Sequence, residues 1–395
     1  MSFPLLRPAL VLGLLSCVGP FAIDMYLPAM PQIGQDIGAT VTTMQGTIMA
    51  YFIAFGVAQL LYGPWADQAG RKAPLYAGLA VFLLGTVVCA LAPSGGWLIL
   101  GRFVQGLGGA AVMVVPRAII RDMATGHQAT RMMAAIMLVI SVSPMLAPLV
   151  GAGVMALAGW RWIFGVLALA ALLSLVMIRF VLAETLPAAQ RQRFNPSDSL
   201  GGARRLLTDR SFMALTFLGG FAMASFFVFI ASGPFVYTQA FGLTPTGFSL
   251  AFAVNAIGFF AASQLAAGFG QRFGAIRVVH LATFGFFVVT LGLWGVGLLG
   301  LANLIVVIAG LFLANACLGL VIPTVMVLAL EDHGDIAGLA SSLGGTLQML
   351  AGGAMIAASA PFFDASPVPM LGAIAVCGAL ALSLSFAIRP QVAVA

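Results

Sequence analysis

Long continuous apolar runs separated by short polar breaks set the pattern of this chain. Twelve runs stand out, near 8–30, 43–64, 73–92, 97–118, 131–157, 161–183, 211–234, 245–268, 275–298, 302–327, 336–360 and 367–389. Each is about as long as the ~20 helical residues that cross ~30 Å of hydrocarbon. The runs do not alternate apolar with polar residues, as the strands of a membrane barrel would. The pattern therefore predicts an all-α integral membrane protein with twelve transmembrane helices.

One connection is long and polar. It runs from Glu184 to Arg210, with Pro187, Pro196 and five arginines, and reads as a tether on the inner membrane surface. It divides the chain into an N-terminal six-helix bundle (1–184), a cytoplasmic linker (185–210) and a C-terminal six-helix bundle (211–395). The halves repeat: GPWADQAGRK (Gly63 to Lys72) closes the second run, and QRFGAIR (Gln271 to Arg277) closes the eighth. Laying Gly70 on Gly274 shifts the numbering by about 204 and brings Arg7 onto Ser211. Two pseudo-symmetric bundles are a common transporter plan, because a site between them opens to either side when one rocks against the other.

Composition sharpens this reading. Of 395 residues 62% are hydrophobic and 7% charged, with mean hydropathy +1.10, against about 25% charged in soluble domains. The net charge of +6 comes from basic residues in the breaks, with no basic patch, so no nucleic-acid partner is expected. Arg7, Arg71, Lys72, Arg117, Arg121, Arg131, Arg179, Arg193, Arg205, Arg277 and Arg389 fall at one set of helix ends; the other set offers Arg161. The positive-inside rule then places both termini in the cytoplasm. Cys17, Cys89, Cys317 and Cys377 lie far apart inside apolar runs and are read as packing residues, with no disulfide or metal site. Arg7 and the apolar residues after it imitate a cleaved signal, but Asp24 and the two prolines that follow it argue against one. His127, His280 and His333 are scattered, and neither a hydrolase motif nor a P-loop is present. An enzyme is not expected; a channel or receptor would leave the repeat unexplained.

Against this background the polar residues inside runs matter. Asp24 lies in the outer half of the first run, where an isolated carboxylate stays neutral until a cation approaches. Arg102 lies about five residues inside the fourth, where snorkelling to the outer surface competes with a role in proton coupling. Tyr51, Gln59, Asn255, Asn315 and Gln348 add sparse neutral polar groups, and the seventh run, GGFAMASFFVFIASGPFVY, is rich in phenylalanine, including Phe226 and Phe227. An aromatic cavity of this kind suits amphipathic molecules better than sugars.

Four stretches carry a family resemblance. GPWADQAGRK resembles the signature loop of the major facilitator superfamily at Gly63, Asp67, Gly70, Arg71 and Lys72; LILGRFVQGLGGAA (Leu98 to Ala111) resembles its fourth-helix motif at Arg102, Gln105 and Gly106. SVSPMLAPLVGAG (Ser141 to Gly153), with Pro144, Pro148 and Gly151, resembles a weakened antiporter motif, and DMYLPAMP (Asp24 to Pro31) resembles the signature of the Bcr/CflA drug-resistance branch. The resemblance implies drug:proton antiport by alternating access, exporting chloramphenicol- or bicyclomycin-like molecules from the bacterial inner membrane. The proton gradient would be the energy source, without a cofactor. Partners would be drugs, protons and the lipid bilayer, and the protein a monomer. It implies proton coupling through Asp24 and Arg102, substrate contact at Asp24, and a cytoplasmic latch. In that latch Asp67 would face the start of the eleventh helix after Asp335 and Arg71 would pair with Asp122. Proton-coupled uptake or export of a polar metabolite is the alternative on the same fold.

Overall fold

A computed structural model describes residues 3–124, 126–191 and 196–388; Arg193 and Arg389, counted in the charge asymmetry, lie outside them. The chain forms two compact units, Met1–Asn195 and Pro196–Ala395. The first contains α1 (Phe3–Asp24), a 3-10 turn (Leu27–Ala29), α2 (Met30–Asp36), α3 (Val41–Ala69), α4 (Lys72–Ala90), α5 (Gly95–Gly109), α6 (Ala111–Met123), α7 (Gly126–Ala158) and α8 (Arg161–Phe180). The second contains α9 (Pro196–Thr208), α10 (Arg210–Phe235) continuing into a π-helical turn (Val236–Ala240), α11 (Pro245–Phe273), α12 (Ala275–Leu298), α13 (Leu304–Glu331), α14 (Ala337–Ser359) and α15 (Pro367–Ser385).

Twelve helical spans among the described residues are long and apolar enough to cross a membrane, in the order the runs predict. The helices outlast some runs. The second continues through Trp65–Ala69 to Gly70, whose φ of 90° ends it, because the polar residues of its last turn reach water without leaving the helix. Large apolar side chains such as Leu61, Leu84, Trp162, Phe180 and Ile305 are exposed, as expected of faces solvated by lipid chains.

The repeat is visible in the backbone. Thr40 caps α3 by accepting from the Thr43 N–H at 3.2 Å, and Thr244 caps α11 by accepting from the Gly247 N–H at 3.1 Å. Both helices have 29 residues. Gly38 and Gly242, and Gly70 and Gly274, take positive φ before and after them. All these pairs keep the offset of about 204, so the repeat fixes caps and stops as well as hydropathy.

The first span departs from a plain helix. α1 ends at Asp24, because Pro28 and Pro31 lack the N–H groups that would bond the carbonyls of Asp24 and Leu27. The expected linker is also more ordered than a tether: α9 packs on α10 and α14 within the C-terminal unit, and Arg205 pairs with Asp335 at 2.6 Å.

Candidate functional site

In the N-terminal unit α5 packs closely on α3 and α4, and α1 on α7. Gly106 makes the first approach possible: a Cβ there would stand 2.4 Å from the Tyr51 carbonyl oxygen. Arg102, one turn earlier on α5, is thereby held fully buried between two aromatic rings, its guanidinium carbon 4.7 Å from the Tyr26 centroid and 4.5 Å from that of Tyr51. Desolvated cation–π contacts of this kind are worth up to ~2 kcal/mol each. The Tyr26 and Thr47 hydroxyls share a hydrogen bond of 2.8 Å, and the Tyr51 hydroxyl donates to the Gly19 carbonyl at 3.3 Å. Arg102 is therefore sandwiched rather than snorkelling.

The break in α1 supplies the next contact. Ala22 lies in the last turn of the helix, where carbonyls lose their intrahelical donors, and its oxygen accepts from Arg102 Nη1 at 2.8 Å. The same Nη1 donates to Gln105 Oε1, and Gln105 Nε2 donates to Thr86 Oγ1 at 2.8 Å. Arg102 Nε and Nη2 have no hydrogen-bond partner, although a buried unsatisfied donor costs about 1–3 kcal/mol or more when charged. Two residues beyond Ala22, Asp24 is 4% exposed and makes no hydrogen bond or ion pair among the described residues; Tyr51 is its electrostatic neighbour. A half-used guanidinium is thus tied by Ala22 to the same helix end that carries the buried Asp24 carboxyl.

Gly151 of α7 closes this region from the other side. A Cβ there would stand 2.1 Å from the Met25 carbonyl oxygen, so the stretch resembling the antiporter motif presses on the residue next to Asp24, within its own unit. Pro144 and Pro148 lie inside the same helix.

At the loop between α3 and α4, Arg71 forks onto Asp122, with Nε–Oδ2 2.7 Å and Nη2–Oδ1 3.0 Å, and gives Nη1 to Asp67 Oδ1 at 2.5 Å. The expected Arg71–Asp122 pair is present. It joins two parts of one unit, so it holds the loop to its own bundle. Asp67 is engaged by Arg71 and is half-exposed. Sequence reasoning missed Glu184, whose carboxylate accepts from the backbone N–H groups of Arg71, Lys72 and Leu186 at 2.9, 3.1 and 3.0 Å. Partial burial pushes its carboxyl up, but these three bonds and nearby Arg191 outweigh it and hold the group below its ordinary value. Lys72 Nζ donates to the Leu182 carbonyl at 2.8 Å, and Thr185 donates to Asp122 at 2.9 Å. A Cβ at Gly70 would stand 2.8 Å from both Glu184 and Arg191. Gly63 has no such close neighbour.

Residues 12–357 match the family model described as Major Facilitator Superfamily. The chain belongs to this superfamily. It is 33% identical over 382 residues to an uncharacterized MFS-type transporter, YdgK, of Bacillus subtilis, covering 96% of this chain and 94% of that one. It is 30% identical to a bicyclomycin resistance protein homolog of Haemophilus influenzae (93% and 92% covered) and 26% identical to the multidrug resistance protein MdtL of Salmonella typhi (95% and 93%). A crystal structure of a D-xylose-proton symporter shares the superfamily fold, with TM-score 0.77 at 16% identity and 98% of each chain covered. The protein is thus a multi-pass membrane transporter.

The remaining candidate residues do not all converge. Tyr51 belongs to the arginine sandwich, and Gln59 is half-buried on α3 with Nε2 unpartnered. In the C-terminal unit Phe227 packs against Gly352, where a Cβ would stand 2.0 Å from its ring. Asn315 Nδ2 donates to the Leu311 carbonyl of its own helix at 2.9 Å. Phe226 and Asn255 lie in or beside an aromatic cluster of α10 and α11. Tyr26 was visible within DMYLPAMP, but nothing in the sequence says that its ring meets an arginine 76 positions away.

Proposed function

We propose that this transporter exports amphipathic small molecules, of the chloramphenicol or bicyclomycin kind, across the bacterial inner membrane in exchange for protons, by alternating access. The observation that carries the reading is the buried Asp24 carboxyl two residues beyond Ala22, whose carbonyl is held by an Arg102 with Nε and Nη2 free. Ionising Asp24 puts a negative charge on the helix end whose Ala22 carbonyl Arg102 holds, and rewards a rearrangement of the α1 break that brings the guanidinium to it. Protonating it removes that attraction. A proton taken up on one side and released on the other therefore alternates two local arrangements, which is the differential interaction a coupled carrier requires.

The printed names of two relatives, a bicyclomycin resistance homolog and a multidrug resistance protein, support drugs as cargo and export as direction. The aromatic cluster of α10 and α11, in a stretch without Asp, Glu, Lys or Arg from Ser211 to Gln271, supports weakly polar cargo over sugars. The energy source is the proton gradient, and the termini lie in the cytoplasm. In inverted, acid-loaded membrane vesicles, adding the drug should release protons from wild type and not from Asp24→Asn. Absence of any drug-induced proton movement in wild type across such compounds would sink the antiport reading.

A further inference from the structure

The stretch beyond the α1 break is held at both of its ends. At the near end Tyr26 is fully buried, lies over the Arg102 guanidinium and shares a hydrogen bond with Thr47. At the far end Asp36, the last residue of α2, accepts from Trp160 Nε1 at 2.8 Å. Between these anchors Pro28 and Pro31 interrupt the helical ladder back to α1. Where the stretch sits relative to Asp24 therefore depends on side-chain contacts more than on backbone bonding.

Trp160 is built as a fixed post. Gly159 takes φ of 87° and donates its N–H to the Met155 carbonyl at 2.9 Å, which ends α7 and makes Trp160 the N-cap of α8. The indole is 2% exposed. The Arg161 guanidinium carbon lies 4.1 Å from its ring centroid, while Arg161 Nη2 donates to the Ala92 carbonyl at 3.4 Å. Trp160 meets Phe164 edge-on at 6.2 Å, and the buried Phe164 ring lies 6.0 Å from Tyr26. One packed line runs from the exposed Asp36 through Trp160, Phe164 and Tyr26 to Arg102.

The consequence falls on the coupling centre. A buried indole N–H needs an acceptor, and a bond to an ionised carboxylate is roughly twice as strong as one between neutral groups, so this contact decides where α2 rests. With α2 held there, Arg102 Nη1 is on the Ala22 carbonyl and no ion pair joins Asp24 to Arg102. Freeing the far end lets the break shift. The arrangement that gains is the one in which the Asp24 carboxyl reaches the unused Nε or Nη2 of Arg102.

We propose that Trp160 and Asp36 are positioning residues for the coupling centre. Their hydrogen bond anchors the α1 break in the arrangement that keeps Asp24 apart from Arg102, and its release lets the two groups pair. The proposal rests on the export reading for the use made of that pairing, and not for the anchor itself.

The test is labelling of the full-length protein in lipid nanodiscs by dicyclohexylcarbodiimide, an apolar reagent for protonated carboxyls, at one fixed pH with neither drug nor gradient, read residue by residue by mass spectrometry. Wild type should be labelled at Asp24. Trp160→Phe, which keeps a ring and deletes the N–H, and Asp36→Ala should each slow labelling of Asp24 about threefold or more, the scale of one intramolecular hydrogen bond. Asp36→Asn, whose amide oxygen still accepts from the indole, should label like wild type. Three results would overturn the assignment: no label on Asp24 in wild type, unchanged rates in Trp160→Phe and Asp36→Ala, or equal slowing by Asp36→Asn and Asp36→Ala. Faster labelling of Asp67 and Glu184 together with Asp24 would overturn it too, as the mark of general loosening. Should Trp160→Phe lose its fold, Asp36→Ala, a change at an exposed position, decides alone. Because no transport is read, the result stands apart from the vesicle test of proton exchange.

Discussion

Arg102 donates from Nη1 to the carbonyl oxygen of Ala22 across 2.8 Å, tying the fourth span to the frayed end of the first helix two residues before Asp24. The bond exists because α1 stops at Asp24 and leaves carbonyls without helical donors. A proline-enforced break, a buried cation and a buried acid are thus one construction.

Replacing Arg102 by lysine keeps the charge but loses the planar guanidinium that stacks between Tyr26 and Tyr51 while donating edge-on. Drug efflux in Arg102→Lys should fall at least about tenfold, equivalent to ~1.4 kcal/mol, while the protein still inserts in the membrane. Initial rates in vesicles check this, and wild-type rates would contradict it.

Two glycines of α7 offer a matched comparison. Gly151→Ala places a methyl against the Met25 carbonyl, whereas a Cβ at Gly153 meets nothing within 4 Å. Gly151→Ala should destabilise by about 1–3 kcal/mol and impair transport, with Gly153→Ala near wild type. Thermal unfolding in detergent reports the first effect, and initial transport rates in vesicles the second.

The Arg71–Asp122 fork is a partly buried bidentate pair, so its members should be coupled. Arg71→Ala and Asp122→Ala should each destabilise, and the double variant should cost less than their sum by about 1–3 kcal/mol. Additive unfolding midpoints would show that the fork contributes only packing.

Glu184 carries the pH dependence of the loop. Its folded-state carboxyl titrates below the ordinary glutamate value, so its stabilising bonds are fully present above the ordinary value and are lost as pH falls through the lower, folded value. Infrared difference spectra of wild type against Glu184→Gln should show the protonated-carboxyl stretch of this residue only below the ordinary carboxylate range. Its appearance at pH 5 or above would refute the bonding described.

Much of the architecture was legible in advance. Helix length, order and the two-half repeat follow from hydropathy, because lipid imposes one rule on every span: about 20 apolar residues with the backbone bonded internally. The eleventh and twelfth spans began within two residues of their predicted starts. Where prediction strayed, at the ends of α3 and α6, polar residues continued the helix into water, which hydropathy alone does not register. The break at Asp24 was written in Pro28 and Pro31, yet the first run read as one helix because its apolar residues continued through them.

The individual site residues were partly legible. Asp24, Arg102 and the Arg71–Asp122 pair were named because charges in or beside membrane helices are expensive and therefore conspicuous. Tyr26, Trp160 and Glu184 were not named as site residues, because aromatic residues and a carboxylate at a loop edge are ordinary in sequence. The sequence alone determined that this is a twelve-span, two-fold repeated membrane protein with its buried charges confined to one half, since burial cost is a property of residue type and run length. Tertiary structure decided that Arg102 is clamped by two tyrosines and that Asp24 is left unpaired. It also decided that Trp160 reaches Asp36 across 124 positions. Such relationships depend on which helix faces meet, and hydropathy is silent on facing when every face is apolar.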